Sequence, residues 1–188
     1  MSERIGRRAI LCGGIALGLG VSVDSKVALA QDDRASVRPK EGDLLVRADD
    51  SSLKPLTPED IPLNGKQTIA WAMDPADRTV RSGSRLNRLL LVRLDTDRAS
   101  ADTRARAADG VVAYTAICPH TGCDVIDWLA EERLLYCPCH FSKFDPSDGA
   151  RVVDGPAPRP LPALPLTVTN GSLVVAKPFT ARVGFEAA

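Results

Sequence analysis

The chain has 188 residues, 24 Lys+Arg against 24 Asp+Glu, and 44% hydrophobic residues, which fits one ordinary domain with extensions. Balanced charge argues against a basic nucleic-acid binder and an acidic solvating tail, and an aromatic content of 4% argues against a base-stacking platform, so no nucleic-acid partner is expected. With 14 Gly and 14 Pro, the chain favours turns and short strands over a helix bundle.

Residues 1–30 read as an export address. Arg4, Arg7 and Arg8 give a positive start, and Ala9 to Val23 carries no charge. Ala28-Leu29-Ala30 supplies small residues where a signal peptidase cuts. Arg7-Arg8 followed by Ala9-Ile10-Leu11 resembles a twin-arginine signal, the route that carries folded proteins. The apolar stretch is shorter than the roughly 20 residues of a spanning helix. Cleavage after Ala30 and a periplasmic location are therefore expected, and retention as an inner-membrane anchor is the alternative. Cys12, flanked by bulky Ile10 and Leu11, is expected to be a bystander.

Residues 31–66 form an N-terminal extension and loop. They hold one candidate strand, Leu44-Leu45-Val46, and the prolines Pro55, Pro58 and Pro62. A domain over 67–180 follows. Gln67 to Trp71 and Leu89 to Leu94 are apolar runs of strand length. Thr96 to Asp109 lacks an apolar stripe and is expected to be a solvated loop, with a short exposed helix as the alternative. Val111 to Ile117 reads as a buried strand running into Cys118, and Arg133 to Tyr136 runs likewise into Cys137. Leu164–Thr169 and Ser172–Ala176, joined by Asn170-Gly171, read as a hairpin. These elements predict an all-β domain.

Both His of the chain and four of its five Cys fall between Cys118 and His140. One cluster is Cys118-Pro119-His120-Thr121-Gly122-Cys123, and the other is Cys137-Pro138-Cys139-His140-Phe141-Ser142. Each loop offers a thiolate and an imidazole just after an apolar strand. Cys137-Pro138-Cys139-His140 has one residue between its cysteines, where haem c attachment needs two. A structural zinc site pairs its cysteines and its histidines separately, whereas each loop here mixes them. A Cys–His nucleophile needs one of each, not two matched loops. A disulfide-stapled domain with incidental His is the bland alternative. A mixed-ligand iron–sulfur site is the best fit, with zinc behind it.

These loops resemble the Rieske iron–sulfur proteins, in the high-potential branch that carries an extra disulfide; the match runs from Cys118 to about Pro158. The resemblance implies an antiparallel β sandwich with a small cluster-binding subdomain of two ligand loops over about 118–158. It implies one 2Fe-2S cluster, with Cys118 and Cys137 on one iron and His120 and His140 on the other. Cys123 and Cys139 match the disulfide pair. Asp154-Gly155-Pro156-Ala157-Pro158 resembles the proline-bearing loop over the cluster, which makes Gly155 and Pro156 neighbours of the centre. Ser142 stands where the family has a donor to a ligand sulfur, and Phe144 stands where many members have Tyr. Neutral imidazoles in place of two thiolates raise the potential to about −150 to +300 mV, from about −400 mV for plant-type clusters. Each imidazole keeps a titratable nitrogen, so electron and proton uptake are expected to be coupled.

In Rieske subunits of cytochrome bc complexes, Leu commonly follows the first His and Gly the second. Thr121 and Phe141 occupy those places here. The run Cys137 to Asp145 looks more like the small subunit of arsenite-oxidase-type molybdoenzymes. Rieske oxygenases lack the disulfide cysteines. The expected function is a periplasmic electron-transfer protein or oxidoreductase subunit that passes electrons toward a c-type cytochrome, beside a molybdoenzyme large subunit in one version. The alternative is the Rieske subunit of a membrane quinol–cytochrome c reductase, paired with cytochrome b and quinol. Either way the chain shows no nucleophile–base pair, so it is expected to carry electrons without a catalytic site of its own.

Overall fold

A computed structural model describes residues 33–185. The expected export signal, including Arg7, Arg8 and Cys12, lies outside the described residues. Ten strands are present among those described: β1 (Leu44–Arg47), β2 (Thr68–Met73), β3 (Leu89–Arg93), β4 (Val111–Thr115), β5 (Asp127–Leu129), β6 (Leu134–Cys137), β7 (Ser142–Asp145), β8 (Arg151–Asp154), β9 (Leu166–Thr169) and β10 (Ser172–Val175). They form a six-stranded sheet, β4-β3-β2-β1-β10-β9, and a four-stranded sheet, β5-β6-β7-β8. Every ladder is antiparallel, as the all-β expectation requires.

The apolar runs of β3 and β4 are continuous because both faces are buried. Leu89, Leu91, Val111 and Ala113 point into one core with Leu45, Ala70, Leu164 and Leu173. Leu90, Val92, Val112 and Tyr114 point into a second core with Val125, Leu135, Phe144 and Leu161. The first core fills the curl of the large sheet, and the second glues that sheet to the small one. The curl brings the free edge of β4 back to the segment before β9. Thr115 N–H donates to Pro162 O at 3.0 Å, and Leu164 N–H donates to Ala113 O at 2.9 Å. Everything between these contacts, residues 116–161, is one excursion from the large sheet.

β1, which lies within the stretch expected as extension and loop, sits in the middle of the large sheet between β2 and β10. Its start is fixed by Asp43, which accepts from Arg81 Nε at 2.5 Å and Arg81 Nη2 at 2.8 Å with both side chains buried. This pairing with Asp43 raises the Arg81 guanidinium above its usual range. The predicted hairpin is present. Asn170 and Gly171 both have left-handed φ, 51° and 78°, as its two-residue turn demands.

Thr96 to Asp109 differs from the expected solvated loop. A 3-10 turn, Thr96–Arg98, leads into a helical turn, Ala101–Arg104. Ser100 caps this turn by accepting from Thr103 N–H. Thr103 is buried, and its hydroxyl accepts from Gly149 N–H at 2.8 Å. One inward threonine and one cap leave no periodic stripe to detect. Strands β5, β7 and β8 were also not expected. Each has three or four residues, and β8 is mostly exposed, so no apolar run marks them.

Candidate metal centre

Both ligand loops are connections between paired backbone segments. The first lies inside the bridge between Ile117 and Asp124, and the second joins β6 to β7 at the Cys137–Ser142 pair. Their closures match. Gly122 N–H donates to Cys118 O at 3.0 Å, and Phe141 N–H donates to Cys137 O at 3.0 Å. Each closing residue is left-handed, with φ 81° at Gly122 and 65° at Phe141. A turn of this kind throws the residues before it outward from a fixed base. Cys118 and Cys137 stay at the base, and the histidines ride near the tip.

The four side chains sort accordingly. Cys118 and Cys137 are free thiols, each 1% exposed. His120 is half-buried and His140 is exposed, with ring centroids 4.6 Å apart and planes at 87°. Cys123 and Cys139 are joined as a disulfide, with Cα atoms 6.5 Å apart. Among the described residues, no group of three or more His, Cys, Asp or Glu is arranged to hold a single metal ion. Two inner sulfurs and two outer nitrogens instead suit a group with two metals. His120 Nδ1 is buried and has no hydrogen-bond partner, an unmet acceptor that a metal would satisfy. Burial pushes the Cys118 thiol up to about 11; the His120 backbone amide and the Ser142 side chain pull it down, and the adjacent Cys137 pushes it further up. Without a nearby positive charge the pocket favours the thiol, so a metal has to supply what stabilises the thiolate.

The proline-bearing loop closes against the second ligand loop at Gly155. A Cβ there would lie 2.5 Å from Ser142 Cα and 2.9 Å from Phe141 O, and the backbone is left-handed at φ 86°. Only glycine permits this approach. Two residues later, Ala157 N–H donates to Ser142 Oγ at 3.2 Å. This bond orients the buried Ser142 hydroxyl beside the Cys118 sulfur. Phe144 is fully buried in the core that contains Cys118 and Cys137. Pro156 lines an open groove of ≈ 420 Å³ with Pro119, His120, Pro158 and Arg159.

Three arginines near the centre were not singled out from sequence. Arg85 Nη2 donates to Gly122 O at 2.7 Å and to Asp124 at 2.8 Å; Arg88 reaches the same carboxylate at 2.9 Å. Arg159 lies beside His120 on the groove. Arg85 and Arg88 precede β3, far from the motif in sequence, and carry no local signal. Arg159 directly follows the Ala157-Pro158 of the proline-bearing loop, which was the available clue.

Residues 70–165 match the family model for the Rieske [2Fe-2S] domain. A putative respiratory nitrate reductase Rieske subunit from Haloferax mediterranei is 50% identical over 76 residues, covering 40% of this chain and 34% of that protein. The cytochrome bc1 complex Rieske iron-sulfur subunit from Streptomyces lividans is 33% identical over 133 residues, covering 69% of this chain and 76% of that protein. This chain thus spans about a third of the first relative and three quarters of the second. The soluble domain of Rieske protein II from Sulfolobus acidocaldarius aligns with a TM-score of 0.40 at 18% identity, covering 87% of this chain and 78% of that one. The family match encloses both loops, the disulfide and the proline-bearing loop, and the donor set fits the family's cofactor. The chain therefore belongs to the Rieske [2Fe-2S] family, an electron-transfer protein whose cofactor is one 2Fe-2S cluster.

Proposed function

We propose that this chain is a periplasmic electron-transfer protein, or oxidoreductase subunit, that passes electrons toward a c-type cytochrome. Cys118 and Cys137 would hold one iron of the cluster, and His120 and His140 the other. When bound, the cluster supplies a site for one electron at a raised potential. The chain's own residues do the rest. Buried Cys118 and Cys137 anchor the inner side away from water. The buried Ser142 side chain lowers the pKa of Cys118 and so favours the more negative state.

The observation that carries the proposal is the exposure of His140 at the tip while both free thiols are buried. That exposed imidazole edge would give a redox partner access to the cluster without opening the fold. The disulfide supports an oxidising compartment, and Arg7-Arg8 supports export to it. Among the described residues, no helix is long and apolar enough to cross a membrane. A second assignment, the Rieske subunit of a quinol–cytochrome c reductase, draws support from the named role of the Streptomyces lividans relative.

Fractionation of the native host separates the two assignments. A chain starting at Gln31, recovered from the soluble periplasmic fraction and oxidised by a c-type cytochrome, supports the proposal, with or without a molybdoenzyme large subunit attached. Co-isolation with cytochrome b from membranes, with reduction by quinol, overturns it. For the ligands, His120→Ala or His140→Ala must abolish or alter the spectrum of the cluster; an unchanged spectrum rejects that residue as a ligand.

A further inference from the structure

The segment after β10 returns to the metal centre. It crosses the segment before β9, where Thr180 N–H donates to Ala163 O at 2.9 Å and Ala163 N–H donates back to Thr180 Oγ1 at 3.0 Å. Val183 is buried. Gly184, left-handed at φ 95°, turns its carbonyl to accept from Arg159 Nη2 at 2.5 Å. Phe185 then lies on Gly122. A Cβ built at Gly122 would sit 3.0 Å from Phe185 Cδ1 and 3.3 Å from Cε1, so the ring rests directly on the bare glycine.

Gly122 stands between His120 and the disulfide residue Cys123. A left-handed glycine at the apex of a short turn is the place where such a loop opens most easily. Arg85 holds Gly122 from the carbonyl side at 2.7 Å, and Phe185 covers its α-carbon. The second loop is different. Its closing residue, Phe141, is 64% exposed and stacks on Tyr136 of the same hairpin, with centroids 6.3 Å apart. The first loop is therefore braced from outside the small sheet, while the second leans on its own hairpin and on Gly155 at the end of β8.

From this asymmetry we infer that residues 183–185 form a clasp, in which Arg159 and Phe185 act as positioning residues for His120. Arg159 directly follows the proline-bearing loop and lines the groove beside His120, so its bond to Gly184 ties the end of that loop to the clasp. Phe185 presses the clasp onto the first ligand loop. The inference rests on the assignment of His120 as a ligand.

The test is hydrogen exchange by mass spectrometry on the full chain with its cluster. It compares peptides covering residues 117–125 and 136–142 in wild type, Phe185→Ala, Phe185→Leu and Arg159→Gln. The amides of Cys118 and Gly122, which close the first loop, report its opening directly. Phe185→Ala and Arg159→Gln are expected to speed exchange in 117–125 about tenfold, with 136–142 unchanged and Phe185→Leu close to wild type. The rhombicity of the reduced cluster's EPR spectrum should shift in the two loosened variants, because His120 is held less firmly. An increase below about threefold in 117–125 in either variant, or an equal increase in both peptides, overturns the clasp. A failed ligand assignment would show separately, as an unaltered cluster in His120→Ala.

Discussion

Gly122 and Phe141 occupy the same place in two different loops. Each donates its amide at 3.0 Å to the carbonyl of a buried cysteine four residues back, Cys118 or Cys137, and each is left-handed. Glycine takes that conformation freely; a phenylalanine holds it at a cost of about 1 kcal/mol. Phe141→Gly should therefore relieve strain, offset by the lost stacking on Tyr136, leaving the thermal midpoint within about 3 °C of wild type. Gly122→Ala adds left-handed strain and pushes a methyl toward Phe185, and should cost about 1–3 kcal/mol. The visible absorbance of the cluster, followed on heating, should rank Gly122→Ala clearly below Phe141→Gly.

Ser142 should set the potential. Its hydroxyl is held by Ala157 N–H at 3.2 Å, and its side chain lowers the pKa of Cys118. Ser142→Ala removes a donor that favours the reduced state. A net bond of about 1 kcal/mol corresponds to a midpoint lower by about 40 mV for one electron. Phe144→Tyr should raise the midpoint by a similar amount if the new hydroxyl reaches a sulfur. Voltammetry of both variants at one pH checks the opposite signs. No change in either variant would leave burial and backbone donors as the tuning elements.

Gly155→Ala should be the most damaging single methyl in the small sheet. The added carbon meets the Ser142 backbone at 2.5 Å, on a residue that is also left-handed. Neither backbone can retreat without moving the proline-bearing loop or the second ligand loop. A loss of at least about 3 kcal/mol is expected, combining strain and overpacking. Iron per chain, measured after maturation in the native host, should fall well below that of the wild type.

Tyr114 should shape the alkaline limit of stability. Its hydroxyl donates to Pro146 O at 2.8 Å, and burial raises its pKa above the ordinary tyrosine value. A pKa raised in the folded state gives stability that is complete below the unfolded value, about 10, and is lost as pH rises toward the folded value. Tyr114→Phe should cost about 1 kcal/mol at pH near 8. It should also flatten the fall in stability between about pH 10 and 12. Urea unfolding followed across that range distinguishes the two curves. Parallel curves would mean that Tyr114 ionises as easily in the folded protein as in the unfolded one.

The family and its disulfide were legible in the sequence because the chemistry is compressed. Cys118 to Cys123 and Cys137 to Ser142 place donors, disulfide partners and the residues beside them within two short stretches. The strands behind the loops were legible for a related reason. Runs such as Leu89 to Val92 are buried on both faces and so are continuously apolar. What escaped depends on distance or on single contacts. Arg85 and Phe185 meet at Gly122 from opposite ends of the domain, and neither sits in a pattern. Thr103 orders its segment through one buried hydroxyl, where periodicity needs several residues. Leu44–Arg47 looked peripheral because nothing local reveals that a short strand near the start of the domain pairs on both sides with β2 and β10.

Residues 116–161 leave the large sheet and re-enter it at neighbouring points, held together by Thr115 with Pro162 and Ala113 with Leu164. A segment with adjacent ends can be exchanged, lengthened or opened without changing the order of the strands behind it. What it asks of its host is the two contacts at the doorway, the apolar side of β3 and β4, and the outside ties made by Arg85, Arg88, Thr103 and the 183–185 segment. Natural variation can thus retune or re-aim the redox head while the scaffold stays fixed. A graft of residues 116–161 into a family member that supplies an equivalent of the 183–185 clasp would carry the cluster's spectrum and potential with it.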